Sequence, residues 1–361
     1  MKKAYSVCGI AALAMGVLVV SASIARAQVL IKVNDDVNFK LGVLGQFQVD
    51  TIKDNGTDVT ASNLFVRRLR LLFGGQVAKS VTFFVETDTP NLGKTLATGK
   101  NITPATIIQD AYGEFKPSNG FSVDAGLMFV PFSRNSIQSA ATLLPIDYGA
   151  YTFSQSAPTQ SSTGRDTGFQ AKGNFVKNRL EYRIGAFQGL RNARSNNALR
   201  YAGRLQYNVL DPETGFFYAG TYVGAKKILA IGAAFDTQSH YHAYDADVFT
   251  EYPFGPGAFN GQLDLTHFDG DVTLATLPKQ NDVLLEIGYL VRAIKVTPVL
   301  QFVHRDVVNL TATPDETRTS IGANYWWAAH NASIKAAYVH IDPKGGAAQH
   351  EFTIQLQLFY Y

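Results

Sequence analysis

Strict alternation of apolar and polar side chains, in segments of about ten residues, recurs along almost the whole chain and constrains its fold more than any other feature. In the C-terminal segment Phe352, Ile354, Leu356, Leu358 and Tyr360 share one parity. Glu351, Thr353, Gln355 and Gln357 share the other, which turns aromatic at Phe359 and Tyr361. Successive side chains of a strand point to opposite faces, so such a segment offers one face to lipid or core and the other to water. Residues 179–187 repeat the pattern, with Leu180, Tyr182, Ile184 and Ala186 opposed to Arg179, Glu181 and Arg183. So do residues 199–208, with Tyr201, Gly203, Leu205 and Tyr207 opposed to Arg200, Arg204, Gln206 and Asn208. Carried along the chain, the test predicts strands near 39–49, 62–77, 80–88, 107–115, 120–129, 165–175, 179–187, 199–208, 227–238, 242–251, 258–269, 280–291, 295–305, 316–327, 332–341 and 349–361, sixteen in all. The phase also predicts that arginine at Leu356 is costly and arginine at Gln355 nearly neutral.

Beyond the N-terminus no run of 18 or more apolar residues occurs, so no helix of the mature chain is expected to span a bilayer. Lys2-Lys3, the apolar stretch 7–20 and Ala25-Arg26-Ala27 have the form of a secretory signal peptide, predicting removal of residues 1–27 and a mature start at Gln28. The only cysteine, Cys8, would leave with this leader and take with it any disulfide or Cys-ligated metal. Charged residues make up 17% of the chain, below the roughly 25% of a soluble domain. Three of the 32 basic residues lie in the leader, which leaves 29 against 29 acidic ones. A neutral chain argues against nucleic acid as a partner and leaves any ionic preference to the placement of charges.

Connections alternate in length: 116–119, 176–178, 292–294 and 328–331 are tight, whereas 50–61, 89–106, 130–164, 188–198 and 306–315 are long and polar. Short turns on one rim and long loops on the other describe an all-β, transmembrane antiparallel barrel with periplasmic turns and extracellular loops, formed by a single domain over 28–361. A secreted sandwich or lectin alternates too. Sixteen evenly spaced strands, an export signal and aromatic strand ends (Tyr325-Trp326-Trp327, Phe359-Tyr360-Tyr361) favour the barrel.

With these residues in view the chain resembles the phosphate-selective porin O and P family of bacterial outer-membrane porins. The resemblance rests on Phe65-Val66-Arg67-Arg68-Leu69-Arg70-Leu71 followed by Gly74, on Asp110-Ala111-Tyr112, on 126–132 ending in Pro131-Phe132, and on Lys227-Ile228-Leu229-Ala230-Ile231-Gly232-Ala233. It implies a sixteen-stranded, usually trimeric channel whose third loop folds inward as a constriction. Outer-membrane proteins commonly end on an outward aromatic, whereas the phase here turns Tyr360 outward and Tyr361 inward.

In such a barrel the polar strand faces line a wet lumen, and their charges set selectivity. Arg68 and Arg70 share a face opposite Leu69, Leu71 and Phe73, while Arg67 falls in the lipid-facing phase and is expected to snorkel at a rim. Lys172, Arg179, Arg183, Arg200 and Arg204 continue a basic wall, with Arg191 and Arg194 at its mouth. Read functionally this is an anion track, its guanidinium forks suited to phosphate or carboxylate; read otherwise, the arginines brace the wall by pairing with Glu181 and other inward carboxylates. Asp236, Asp245, Asp247, Glu251, Asp264, Asp282 and Glu286 fall mostly on the polar faces of strands nine to twelve, predicting an opposing acidic wall and a transverse field. The candidate constriction loop 130–164 carries only Arg134 and Asp147, with Arg165-Asp166 just beyond.

Catalytic signals are poor. No G-x-S-x-G or H-E-x-x-H occurs, and Gly93-Lys94-Thr95 lacks the earlier glycine of a P-loop, Asp88 standing in its place. His240 and His242, near Asp245 and Asp247, form at most a faint metal pattern. The expectation is therefore a non-enzymatic diffusion porin without cofactor or metal, embedded in outer-membrane lipid as a homotrimer and passing small hydrophilic solutes with a preference for anions such as phosphate. The alternative is a non-selective porin or a structural barrel without an open channel.

Overall fold

The computed structural model describes residues 29–96, 99–161, 163–308 and 312–361; the expected leader lies outside them. Sixteen strands of these residues close into one antiparallel barrel: β1 Asn38–Asp54, β2 Val59–Ala78, β3 Val81–Asp88, β4 Ile107–Ser118, β5 Phe121–Phe129, β6 Arg165–Phe175, β7 Leu180–Phe187 and β8 Arg200–Asn208 form the first half. The second half comprises β9 Ile228–Gln238, β10 Tyr241–Phe254, β11 Gly257–Asp269, β12 Gln280–Val291, β13 Val296–Val307, β14 Glu316–Ala328, β15 Ala332–Pro343 and β16 Gln349–Tyr360. Every strand pairs with its sequence neighbours, and β16 returns to β1 through Leu356↔Phe47 and Gln355↔Gln48, so no edge is left. A short strand, Val29–Lys32, pairs with the start of β1. Among the described residues no helix is long and apolar enough to cross a membrane.

Burial follows the alternation but with the polarity of a soluble protein inverted. Leu69, Leu71, Phe73, Ile184, Tyr201, Leu205, Tyr207, Leu263, Leu265, Ile354, Leu356 and Leu358 are exposed on the outside, where lipid takes the place of a core. Gln46, Arg68, Glu86, Asp110, Asp124, Gln170, Arg183, Arg204, Asp247, Asp264, Glu286, Asn324, Lys335 and Gln355 are buried inside. Tyr361 turns inward, its ring 5.7 Å from that of Phe84.

The connection expected over 50–61 is instead a continued ladder, with Thr51↔Ser62 and Lys53↔Thr60 still paired and the chain reversing over 55–58. Above the membrane both faces of a hairpin meet water, so pairing persists where the apolar alternation has stopped. Asp54 accepts from Gly56 N at 2.7 Å to set that turn.

Candidate functional site

The segment 130–164 enters the barrel rather than arching over it. Its single helical turn, α1 Arg134–Ile137, is capped by the Ser133 hydroxyl, which accepts from Ser136 N at 3.1 Å, and all four of its residues are buried. Wall side chains on many strands then seize its backbone. Asp264 of β11 accepts from Asn135 N at 2.9 Å, Gln46 of β1 donates to Ala140 O at 3.1 Å, and Gln357 of β16 donates to Ala141 O at 2.8 Å. Lys335 of β15 donates to Leu143 O at 2.5 Å and to Pro145 O at 2.9 Å, and Asn324 of β14 to Leu144 O at 2.6 Å.

A second inward element was not legible as such. Residues 209–227 join β8 to β9 on the rim of tight turns, yet they rise into the lumen and pair with the first: Ser139 N donates to Tyr218 O at 3.0 Å and Tyr218 N to Ile137 O at 3.1 Å. Glu213 takes both terminal nitrogens of Arg134 at 2.8 Å, Arg183 donates to Phe216 O and Gly215 O at 2.8 and 3.0 Å, and Glu251 accepts from the backbone of Tyr222 and Gly224 at 2.7 Å. His330 Nε2, facing a carbonyl, donates to Thr221 O at 2.9 Å. The signal lay in a long connection carrying Phe216-Phe217-Tyr218 on the rim where strand parity demands a tight turn.

These two segments decide what the predicted site residues meet. Arg134 is buried between Glu213 and the face of Phe249, 3.6 Å from the ring centroid. Arg200 donates to Asp236 from Nε at 2.7 Å, and Arg204 holds Asp247 at 2.5 and 2.8 Å, with Asp245 3.8 Å away. Arg183 holds Glu181 at 2.7 Å. Arg200 and Asp236 thus neutralise each other on adjacent strands, Arg204 and Asp247 across the intervening β9, and Arg183 and Glu181 along β7, so the field expected of these charges is cancelled within each pair, because an unpaired charge packed under a loop would cost several kcal/mol. Asp264 and Glu286 are buried under α1 and beside Gln301, which donates to Glu286 at 2.9 Å. Lys172 bridges Glu114 and Asp124 at 3.2 and 3.1 Å toward the periplasmic end. Arg179 precedes β7 in the turn and is exposed. His242 points outward on β10, opposite in face to Asp245 and Asp247, which undoes the faint metal pattern.

Arg67 corrects the simple phase. The register shifts between Gln46↔Arg68 and Phe47↔Val66, so Arg67 is the extra residue of a β-bulge. Rather than snorkelling outward, it reaches Asp147 of the inward segment at 3.2 Å, while Arg68 reaches the same carboxylate at 2.8 Å. Burial alone would raise the Asp147 carboxyl, but the two guanidinium groups outweigh it and hold the acid well below the usual carboxylate range.

Around this triad lies an outer cavity of about 540 Å³ lined by five arginines, Arg67, Arg68, Arg70, Arg165 and Arg318, and by two aspartates, Asp88 and Asp147. Glu86, which pairs with Arg70, and Asp110, which holds Arg165 at 3.1 Å, are buried and absent from the cavity lining. Below it an inner cavity of about 490 Å³ opens toward the periplasmic rim, lined by Asn38, Lys40, Gln76, Thr82, Phe84, Tyr112, Phe216, Phe217 and Tyr361. Ala140 and Ala141 of the inward segment pack against Leu44, Leu72 and Phe84 of β1 to β3, and this apolar cluster, with Tyr148 of the outer cavity and Phe217 of the inner one against it, borders both cavities.

The architecture has solved counterparts. The anion-selective porin from Comamonas acidovorans aligns over 90% of this chain and 100% of its own, with 13% identity and a TM-score of 0.63. OmpF of Salmonella typhi aligns over 91% and 100%, with 13% identity and a TM-score of 0.58. OprB of Pseudomonas putida aligns over 90% and 93%, with 8% identity and a TM-score of 0.54. At such identities the likeness establishes the fold, an outer-membrane porin barrel. No curated protein sequence matches the chain. The family model described as phosphate-selective porin O and P matches residues 37–227, more than half of the chain, and the protein therefore belongs to the phosphate-selective porin O and P family.

Proposed function

We propose that the protein is a passive diffusion porin that passes small hydrophilic solutes and favours anions, with no chemical step. One observation carries this reading: five guanidinium groups face the outer cavity while only two carboxylates do. A solute entering from outside meets positive potential even though the wall as a whole is nearly neutral. The family and the anion-selective porin of Comamonas acidovorans agree with it. The track is the set Arg67, Arg68, Arg70, Arg165 and Arg318, with the inward segment 130–164 as constriction; Arg183, Arg200 and Arg204 act as braces. Residues 1–27 are a cleaved leader and the assembly is a homotrimer, as the sequence and the family resemblance imply; N-terminal sequencing and cross-linking of the outer-membrane fraction check these two points.

Planar-bilayer conductance of the purified protein, with the reversal potential in a potassium chloride gradient, tests the main reading. Anion-selective conductance is expected. A second reading, a structural barrel without an open channel, draws on the apolar packing of the inward segment against β1 to β3 beside both cavities. Absence of single-channel steps in a correctly folded preparation would favour it.

A further inference from the structure

On the outward face of β15 and β16, His340 and His350 stand directly opposite each other, one rung beyond the exposed pair Tyr338↔Phe352 and toward the extracellular rim. Both are half-buried, their rings are 4.9 Å apart, and their Nδ1 atoms lie 3.4 Å from one another. That separation exceeds the roughly 2.7–3.2 Å of an ordinary hydrogen bond. It matches the edge of a tetrahedron instead: two nitrogens about 2.0–2.1 Å from one ion, at the tetrahedral angle, stand about 3.3–3.4 Å apart. We infer that His340 and His350 form a two-histidine site for a divalent transition-metal ion of the zinc and copper class, on the outside of the barrel and apart from the channel.

Imidazole nitrogen selects such ions over calcium and magnesium, which take oxygen ligands. Among the described residues no third histidine, cysteine or carboxylate joins the pair, so water fills the remaining positions. The Tyr338 hydroxyl, 2.6 Å from His350 Nδ1, yields that lone pair to the ion and stays beside it. The Asn55 amide lies 3.0 Å from His350 Nε2; with its oxygen turned to the ring it accepts the Nε2 proton, which leaves Nδ1 as the ligand atom. Lys53 faces His350 from β1, but Asp58 draws its ammonium aside at 3.5 Å. The ion therefore ties β15 to β16, and Asn55, in the turn between β1 and β2, carries the tie over the junction that closes the barrel. His304 on β13 supplies the contrast, since its cross-strand neighbours are Val283 and Thr317 rather than a second imidazole.

The test uses the untagged full chain, folded in detergent and stripped of metal with a chelator that is then removed. Calorimetric titration with zinc chloride should show one ion bound per chain, undisturbed by excess calcium or magnesium. Bound Cu²⁺ should give an electron paramagnetic resonance spectrum with two coordinated imidazole nitrogens. Asn55→Ala should weaken zinc binding by roughly tenfold, the usual loss when a partner of a metal-bound histidine is removed. His340→Gln and His350→Gln should each weaken it further, and His304→Gln should leave it unchanged. Because the ion binds only the folded barrel, zinc should raise the midpoint for loss of the compact form in the parent and not in the protein carrying both His340→Gln and His350→Gln. A folded parent that takes up no zinc at millimolar concentration, or uptake that survives the loss of both histidines, overturns the inference and leaves the channel reading intact.

Discussion

Arg204 on β8 and Arg68 on β2 occupy comparable lumen-facing positions on opposite parts of the wall, and their surroundings differ in kind. Arg204 is packed under the two inward segments, with Asp247 on its guanidinium and Phe132 O accepting at 3.2 Å. Arg68 stands beside a cavity and shares Asp147 with Arg67. Residue type and strand phase are the same in both regions. Both are buried and both hold a carboxylate, so what separates a brace from a pore-lining charge is that the guanidinium of Arg68 also borders a cavity whereas that of Arg204 is covered by the inward segments.

The largest effects should come from breaking the sealed side. Arg204→Gln leaves Asp247 buried without its cation, and Glu213→Gln leaves Arg134 without its anion; each should cost about 3–5 kcal/mol, read as a lower midpoint for loss of the compact form on heat-modifiable gels. The reversal potential of Arg204→Gln protein that remains folded should match the parent. An altered potential with unchanged stability would make Arg204 a pore charge after all.

Next come substitutions that contrast the outer and inner faces. Leu356→Arg should cost up to roughly 2–4 kcal/mol near the bilayer midplane. A wet lumen would leave Gln355→Arg neutral, but Gln355 is fully buried and accepts from Gln48 at 2.8 Å, so overpacking of about 1–3 kcal/mol is expected. Tolerance of arginine at Gln355 would mean that the interior beside it is wet rather than packed.

On the hollow side the effect should fall on selectivity. Arg67→Gln with Arg68→Gln should lower the anion-to-cation permeability ratio with the barrel intact, most strongly at low salt, because the screening length is about 10 Å at 0.1 M and about 3 Å at 1 M. Asp147→Asn should raise the ratio by releasing both guanidinium groups. A ratio that moves in neither variant would remove the anion track.

A smaller, pH-dependent effect concerns the anchor of 209–227. Burial and the nearby Lys335 push His330 down to about 4 from its usual 6.5. Between those values the unfolded chain binds a proton that the folded chain refuses, so the anchor's contribution is whole above about 6.5 and is lost as pH falls toward 4. Protease cleavage within 209–227 should increase over that window, and His330→Asn should flatten the dependence. The smallest effect belongs to Arg179→Gln, exposed in its turn, which should shift stability by no more than about 0.5 kcal/mol and leave selectivity unchanged.

Much of the barrel was legible in the sequence because the information is local. Strand phase depends only on residues two apart, so Leu69, Leu71 and Ile354 could be assigned to the outer face and Arg68, Arg183 and Gln355 to the inner one without knowing a single contact. Counting those segments yields an even set of strands, and lengths of connection orient it, except where 209–227 breaks the alternation. Three things depended on positions far apart in the chain. The bulge that turns Arg67 toward Asp147 exists only through the register of β1 against β2; the pairing of Arg200 and Arg204 with carboxylates arises between β8 and the two strands that follow it; and the meeting of 130–164 with 209–227 inside the lumen joins segments with β6–β8 between them. The alternation alone specified which side chains face the interior. Only the tertiary structure decided which of them meet water there, because access is set by what the loops cover, and a period of two carries no information about loops.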